Sequence, residues 1–166
     1  MAYPANIVRI TPFENTHRDG VVALILPIQQ EEFGLPVTLA DQQDLLDIPG
    51  FYQQGNGQFW VALDGGVVVG TIALLDIGNG EGALRKMFVA PGHRGGAHGT
   101  AQRLLDTLLD WARARGMRQL YLGTTAKFLA AHRFYGKHGF REIEAVGLPA
   151  TFPIMKVDTR FYMRAL

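Results

Sequence analysis

The residue types best suited to bind an anion lie together between a predicted strand and a predicted helix. The strand ends near Val89, the helix carries Leu104, and the segment before the helix reads Arg94-Gly95-Gly96-Ala97-His98-Gly99-Thr100. The first N–H groups of a helix lack intrahelical acceptors and lie at the positive end of its dipole, while glycine lets a ligand approach the backbone closely. Arg94 adds a cation that pairs well with phosphate. The segment therefore indicates a phosphate-binding loop, and a tight turn with an exposed arginine is the alternative.

Two common nucleotide-binding signatures do not occur in the sequence. It contains no Gly-x-x-x-x-Gly-Lys-Ser/Thr, and no Gly-x-Gly-x-x-Gly opens a helix. Neither a P-loop nor a dinucleotide-binding fingerprint is therefore present. If the loop binds phosphates, they belong to another kind of ligand.

The composition excludes several partners and chemistries. Sixteen Lys and Arg against fifteen Asp and Glu give a net charge of +1, so the whole chain has no field that would attract nucleic acid or an acidic membrane. With no cysteine, it has no thiolate nucleophile, disulfide or Cys-ligated zinc. The five histidines show no pairing with carboxylates at the spacing of a metal site, so no metal is predicted.

The N-terminal region and the apolar runs predict a soluble, cytoplasmic protein. Residues 1–11 carry Pro4, Asn6 and Arg9 and lack the apolar core of a signal peptide. The longest apolar run, residues 21–28, is too short to span a bilayer.

Hydrophobic periodicity predicts the elements that precede the loop. They are a strand over residues 6–10, a helix over residues 16–33, a second helix over residues 38–46, and strands over residues 58–63, 67–75 and 83–89. Pro12 closes the first strand, and Pro27 kinks or divides the first helix. Thr38 is the expected N-cap of the second helix. Asp64-Gly65-Gly66 joins two of the strands in a hairpin.

The elements after the loop alternate between helix and strand. They are a helix ending at Gly116, a strand over residues 119–122, a helix over residues 127–138, and strands over residues 140–145 and 160–164. Residues 147–158 contain two prolines and no clean period, which indicates a loop on the functional surface. The order describes one domain over residues 1–166 with mixed α/β layers.

Two motifs resemble those of the Gcn5-related N-acetyltransferase (GNAT) family. The coenzyme A loop of that family is similar to the segment Met87-Phe88-Val89-Ala90-Pro91 followed by residues 94–100. The family pattern Arg/Gln-x-x-Gly-x-Gly/Ala corresponds to residues 94–99. Ala97 stands where the first Gly is usual. Downstream, Ala130-Ala131-His132-Arg133-Phe134-Tyr135-Gly136-Lys137-His138-Gly139-Phe140 resembles the family's Ala-x-x-Phe-Tyr-x-x-x-Gly-Phe. The resemblance covers residues 58–145 well, although Phe128 occupies the place where Asn is often found.

The resemblance implies a fold, a co-substrate and a set of binding residues. The fold is α/β (α+β), with a mixed, mostly antiparallel central sheet and helices on both faces. Acetyl-CoA lies in a V-shaped opening between the strands at residues 83–89 and 119–122, and no metal is involved. Its binding residues would be Met87, Phe88, Val89, Arg94, Gly95, Gly96, Ala97, His98, Gly99, Thr100, Phe128 and Lys137.

The resemblance also implies how the transfer is catalysed. An acceptor amine attacks the thioester directly, and backbone N–H groups near Phe88 and Val89 stabilise the oxyanion. Tyr135 matches the tyrosine that protonates the departing thiolate, and a packed helical tyrosine is the alternative.

The acidic and basic residues of the site are less specific. Ala83 stands where many relatives carry a glutamate, so Glu81 is the candidate base, although a solvated loop carboxylate is the alternative. Glu31 and Glu32 are candidates for binding a cationic acceptor. Arg85 and Lys86, with Arg94 and Lys137, would form a basic mouth for the co-substrate, or only solvate the surface.

Three functions remain open at this point. The leading hypothesis is transfer of acetyl to the primary amine of a small molecule or amino acid. A non-catalytic acyl-CoA-binding module is the second, and acetylation of protein lysines or N-termini, across the loop at residues 147–158, is the third. A homodimer could form through the last strand, which carries Phe161 and Tyr162.

Overall fold

The computed structural model describes residues 8–166, which contain a seven-stranded sheet. Its strands are β1 (Arg9–Pro12), β2 (Gln58–Asp64), β3 (Val67–Gly78), β4 (Glu81–Val89), β5 (Gln119–Thr124), β6 (Arg141–Ile143) and β7 (Arg160–Ala165). Their spatial order is β1-β2-β3-β4-β5-β7-β6. Only β4 and β5 pair in parallel, and all other neighbours are antiparallel. This confirms the mixed, mostly antiparallel sheet predicted from the resemblance.

Helices cover both faces of the sheet, as predicted. They are α1 (Arg18–Pro27), which continues into a π-helical turn (Ile28–Glu32), α2 (Gln43–Leu46), α3 (Ile48–Tyr52), α4 (Thr100–Ala114) and α5 (Leu129–Lys137). The first three pack on one face, where Phe59 and Val61 of β2 point. The last two pack on the other face, where Trp60 and Ala62 point. Alternate residues of one strand therefore serve two separate cores.

The first helical region divides at Pro27, as the sequence predicts. Proline has no N–H for the α-helical ladder, so α1 ends there. A π-helical turn then follows, and the N–H of Phe33 donates to the carbonyl of Ile28 at 3.1 Å.

The helix predicted over residues 38–46 is wrong in its first half, because α2 begins only at Gln43. Thr38 caps no helix. Its hydroxyl donates instead to the Asp41 carboxylate at 3.0 Å, within a turn. The short helix α3 was not predicted, and Asp47 caps it by accepting the Gly50 N–H at 3.0 Å.

Other boundaries shift by a few residues. β3 continues to Gly78 and β4 already begins at Glu81, with a tight turn between them. The predicted first strand corresponds to β1, and its residues 6 and 7 lie outside the described residues. Within residues 8–166, no helix combines the length and hydropathy that crossing a membrane requires.

Candidate active site

A bulge interrupts β4 near the middle of the sheet. Thr71 of β3 lies opposite Phe88, and Ala73 lies opposite Arg85, so two residues of β4 face one residue of β3. Lys86 has a left-handed φ of 51°. The fully buried Thr71 hydroxyl donates to the Lys86 carbonyl at 2.7 Å. One side-chain hydrogen bond therefore fixes the conformation that redirects β4.

The parallel strands β4 and β5 separate soon after they meet. They pair over three residues of each strand, the last pair being Ala83 and Tyr121. A cavity of about 590 Å³ lies where they diverge, lined by β4 beyond Ala83 and by Gly123 and Thr124 of β5. This is the V-shaped opening that the resemblance implied.

The predicted binding residues divide into two groups. Met87, Phe88, Val89, Arg94 and Phe128 line the cavity. Six others form the turn and the start of α4, outside the cavity lining: Gly95, Gly96, Ala97, His98, Gly99 and Thr100. Lys137 is exposed at the end of α5, also outside the lining, so it does not join the predicted basic mouth.

The glycine-rich turn leaves its backbone open. Gly95 and Gly99 have left-handed φ values of 98° and 65°, and Gly99 is the N-cap of α4. A Cβ placed at Gly95, Gly96 or Gly99 would meet no atom within 4 Å. This space borders the helix terminus whose N–H groups need acceptors, so the turn fits a phosphate-bearing ligand.

Arg94 links β4 to the π-helical turn. Its guanidinium donates to the two carboxylate oxygens of Glu32 at 2.6 and 2.7 Å, and its Nε donates to the Val89 carbonyl at 2.9 Å. These hydrogen bonds lower the pKa of Glu32. Glu32 is therefore engaged by Arg94 rather than free for a cationic acceptor, and Glu31 is exposed beside it.

Tyr135 of α5 lines the cavity and is only 6% exposed. Its ring packs against Phe140 and Tyr162, with centroids 5.5 and 6.2 Å apart. Burial raises the pKa of Tyr135 far above its usual value, so the phenol stays protonated at neutral pH. Tyr135 is also a buried member of the core cluster around α4, as in the packed-tyrosine alternative, and the neighbouring Phe134 is partly buried against the same cluster.

Glu81 lies at the closed end of the parallel pair. It is the first residue of β4, opposite Gln119, and does not line the cavity. The geometry therefore gives no support to Glu81 as the base. The carboxylates in the lining are Asp41, which is exposed and bound to Thr38, and Asp158.

Asp158 closes the loop that leads into β7. Its carboxylate accepts the Met155 N–H at 2.9 Å and packs so closely on Gly123 of β5 that a Cβ there would collide with it. Burial raises the pKa of Asp158. The sequence predicts this loop on the functional surface. Because residues 147–158 show no hydrophobic periodicity, the sequence did not single out Asp158.

A buried polar cluster forms the cavity wall on the side of α2 and α3. Lys86 donates to the Gln42 side-chain carbonyl at 2.6 Å and lies 3.5 Å from Asp44. Gln42 exchanges two hydrogen bonds with Gln29, and the Tyr52 hydroxyl donates to Asp44 at 2.6 Å. Burial lowers the pKa of Lys86.

Arg85 belongs to the same wall, but it lacks a close anionic partner. Its nearest carboxylate oxygen, on Asp44, is 3.9 Å away, and its Nη2 donates to the Met155 sulfur at 3.1 Å. The guanidinium lies over the rings of Phe51 and Tyr52, 5.3 and 5.8 Å from their centroids. Arg85 and Lys86 thus face the cavity opposite the α4 side of the sheet, away from the glycine-rich turn.

Comparison with solved structures identifies the class of fold. The chain superposes on an acetyltransferase of the GNAT family from Staphylococcus aureus Mu50 with a TM-score of 0.92 and 37% sequence identity, covering 96% of this chain and 99% of that one. Bulged β4, the diverging parallel pair and the glycine-rich turn thus belong to a GNAT acyltransferase fold.

The sequence comparisons establish the family. The Acetyltransferase (GNAT) family model matches residues 23–140, and the chain belongs to this family. An IAA acetyltransferase of Azospirillum brasilense is 34% identical over 130 residues, which cover 78% of this chain and 82% of that protein. An N-acetylaspartate synthetase of Xenopus tropicalis is 37% identical over 107 residues, covering 62% of this chain and 38% of that protein. The chain spans about half the length of the first vertebrate relatives it matches.

Proposed function

We propose that this chain transfers an acetyl group from acetyl-CoA to the primary amine of a small molecule or an amino acid. The observation that carries the proposal is the cavity between the diverging strands β4 and β5. Arg94 and Val89 bring one end of it to the glycine-rich turn, and Tyr135 lies in its wall. This arrangement supports a donor, an acceptor and an acid meeting in the same cavity.

The donor would be held by backbone groups. The N–H groups of the first turn of α4, next to the open space at Gly95, Gly96 and Gly99, suit the pyrophosphate of coenzyme A. Bound there, acetyl-CoA supplies a thioester whose carbonyl can accept hydrogen bonds from β4. Since β4 beyond Ala83 is unpaired on the side of β5, its N–H groups around the bulge are available as oxyanion donors.

Two side chains would serve as the proton acceptor and the hydrogen-bond donor of the reaction. Asp158 accepts a proton from the acceptor ammonium, because the free amine is the nucleophile. Tyr135 donates a hydrogen bond to the departing sulfur. One C–N bond forms and one C–S bond breaks. Of the two protons that the ammonium loses on becoming an amide, one passes from Asp158 to solvent and the other balances the proton gained by the thiolate. No further reactant is needed.

A thiol-release assay tests the proposal. Purified protein is incubated with acetyl-CoA and a panel of amino acids, polyamines, aminoglycosides and peptides, and free thiol is measured against a blank without amine. We expect release that depends on the amine and saturates with it. Calorimetric titration with coenzyme A is run in parallel. Tight binding without thiol release from any amine would instead identify a non-catalytic acyl-CoA-binding module.

A further inference from the structure

We propose that Arg85, assisted by Lys86, forms a subsite for a carboxylate of the acceptor, which would make the acceptor an amino acid or a similar amino-carboxylate. This inference rests on the proposed function and names the substrate class of the same site. It starts from a cation in the cavity wall whose hydrogen-bonding capacity is largely unused.

The Arg85 guanidinium is buried without an adequate acceptor. Its side chain is only 10% exposed, and its described hydrogen bond goes to a thioether, the Met155 sulfur. Guanidinium has five N–H donors, and thioether sulfur is a weak acceptor. A buried cation in this state is costly unless an anion reaches it. Since Arg85 lines the cavity, a bound molecule can supply that anion.

The surrounding residues hold Arg85 in place, but they leave its guanidinium without a hydrogen-bonded carboxylate. Phe51 and Tyr52 provide ring faces under the guanidinium. Asp44 is shared between two cations, at 3.9 Å from Arg85 and 3.5 Å from Lys86, and is itself 3% exposed. Asp158 also acts on both cations, but neither carboxylate makes a described hydrogen bond to Arg85. A planar guanidinium suits bidentate recognition of a carboxylate.

The phosphates of the donor do not account for this subsite. Arg85 contacts α2, α3 and the Met155 segment, which lie on one face of the sheet. The glycine-rich turn opens α4, which packs on the other face. The anion at Arg85 is therefore part of the acceptor rather than of coenzyme A.

Asp158 supplies the complementary charge in the same cavity. It lines the wall beside Gly123, where β5 diverges from β4. An ammonium near Asp158 and a carboxylate near Arg85 place both charges of one small amino-carboxylate against opposite charges of the protein. A plain amine would satisfy only the first of these.

Matched acceptor pairs test the inference. Initial rates of thiol release are compared for L-amino acids and their carboxamides, which replace the carboxylate by a neutral group. Rates are expressed per free amine, because the ammonium of the carboxamide has the lower pKa. We expect a kcat/KM about ten- to a hundredfold higher for the acids, as for one charge-assisted contact. Arg85→Met should remove this preference by raising KM for the acid, and should leave KM for acetyl-CoA unchanged. Arg85→Lys should retain part of this preference, because lysine keeps the positive charge but lacks the paired N–H donors of the guanidinium.

Arg113→Met is the control variant, because Arg113 is an exposed cation on the last turn of α4, outside the cavity lining. It should keep the wild-type preference. Carboxamides used as well as the acids by wild-type protein would overturn the inference while leaving the proposed function intact. The inference would also be overturned if Arg85→Met changed the KM for acetyl-CoA and left the KM for the acid unchanged. Absence of thiol release with every amine would instead refute the proposed function.

Discussion

Replacing Thr71 by valine tests whether one buried hydroxyl maintains the bulge that shapes the candidate active site. Valine has nearly the same shape, so the change removes a hydrogen bond without opening a cavity. Thr71 is fully buried, and its hydroxyl is 2.7 Å from the carbonyl of Lys86, the residue with the left-handed φ of 51°. Without this donor, Lys86 loses the contact that compensates its strained backbone.

The expected loss of stability follows from the burial of the two groups. A buried carbonyl left without its donor costs about 1–3 kcal/mol. The Lys86 contact is only partly buried, so we expect a loss of about 1–2 kcal/mol. For a chain of this size that lowers the unfolding temperature by about 2–8 °C. Thermal unfolding measured by circular dichroism at one protein concentration gives this number.

The same substitution should reduce turnover. The bulge orients the N–H groups of β4 that we propose as oxyanion donors, and misplacing one donor lowers kcat by about ten- to a hundredfold. Thr71→Ser is the matched control, because it keeps the hydroxyl. If Thr71→Val unfolds at the same temperature as Thr71→Ser and keeps its kcat, the hydroxyl does not hold the bulge and this reasoning is refuted.

Three further substitutions test the other parts of the site. Tyr135→Phe should lower kcat by about ten- to a thousandfold, with the affinity for coenzyme A nearly unchanged in calorimetry. Gly99→Ala should cost about 1 kcal/mol through its left-handed φ and weaken coenzyme A binding, because its Cβ enters the open space at the turn. Asp158→Asn should abolish the fall in kcat/KM at low pH. Burial raises the folded pKa of Asp158, so protonated Asp158 stabilises the fold below about pH 4. This stabilisation is lost as the pH rises through the folded pKa. The unfolding temperature of Asp158→Asn should therefore rise relative to that of wild type toward neutral pH.

Each of these substitutions has a control or a contrary outcome. Gly116 also has a left-handed φ, 73°, but lies at the other end of α4, so Gly116→Ala should lose similar stability and keep its coenzyme A affinity. Equal affinities in the two glycine variants would remove the turn from the binding site. A wild-type rate for Tyr135→Phe would remove Tyr135 from the mechanism. An unchanged low-pH limb in Asp158→Asn would exclude Asp158 as the base.

Local signals made most of the fold predictable. The hairpin of β2 and β3 has a Gly-rich turn between β-rich runs, and α4 has a continuous apolar face ending at Gly116. The region of α2 and α3 lacks such signals. Its helices have four and five residues, too few for periodicity to define. Thr38 and Asp47 are both residue types that favour an N-cap, but only Asp47 caps a helix. Only packing on the sheet determines which of them begins a helix.

The members of the candidate site could be recognised from the sequence where they are contiguous in the chain. The glycine-rich turn and Tyr135 lie within short motifs. Arg85 and Asp158 come from segments more than seventy residues apart, and their proximity depends on how β7 inserts next to β5. The sequence suggests Glu81 as the base because it is the carboxylate two residues before Ala83 on the same strand. In the structure, β4 and β5 are still paired at Glu81, so this residue lies away from the cavity.

The divergence of β4 from β5 leaves an open strand edge inside the sheet rather than at its border. An edge at the border can recruit another polypeptide chain, but this one lines the cavity, where a molecule narrow enough to lie between two strands can reach it. On the proposed function, a co-substrate bound there completes the sheet's hydrogen bonding. Folding and binding then become thermodynamically linked, and the protein should grow more resistant to unfolding by about 2.7 kcal/mol when the ligand is at a hundred times its Kd.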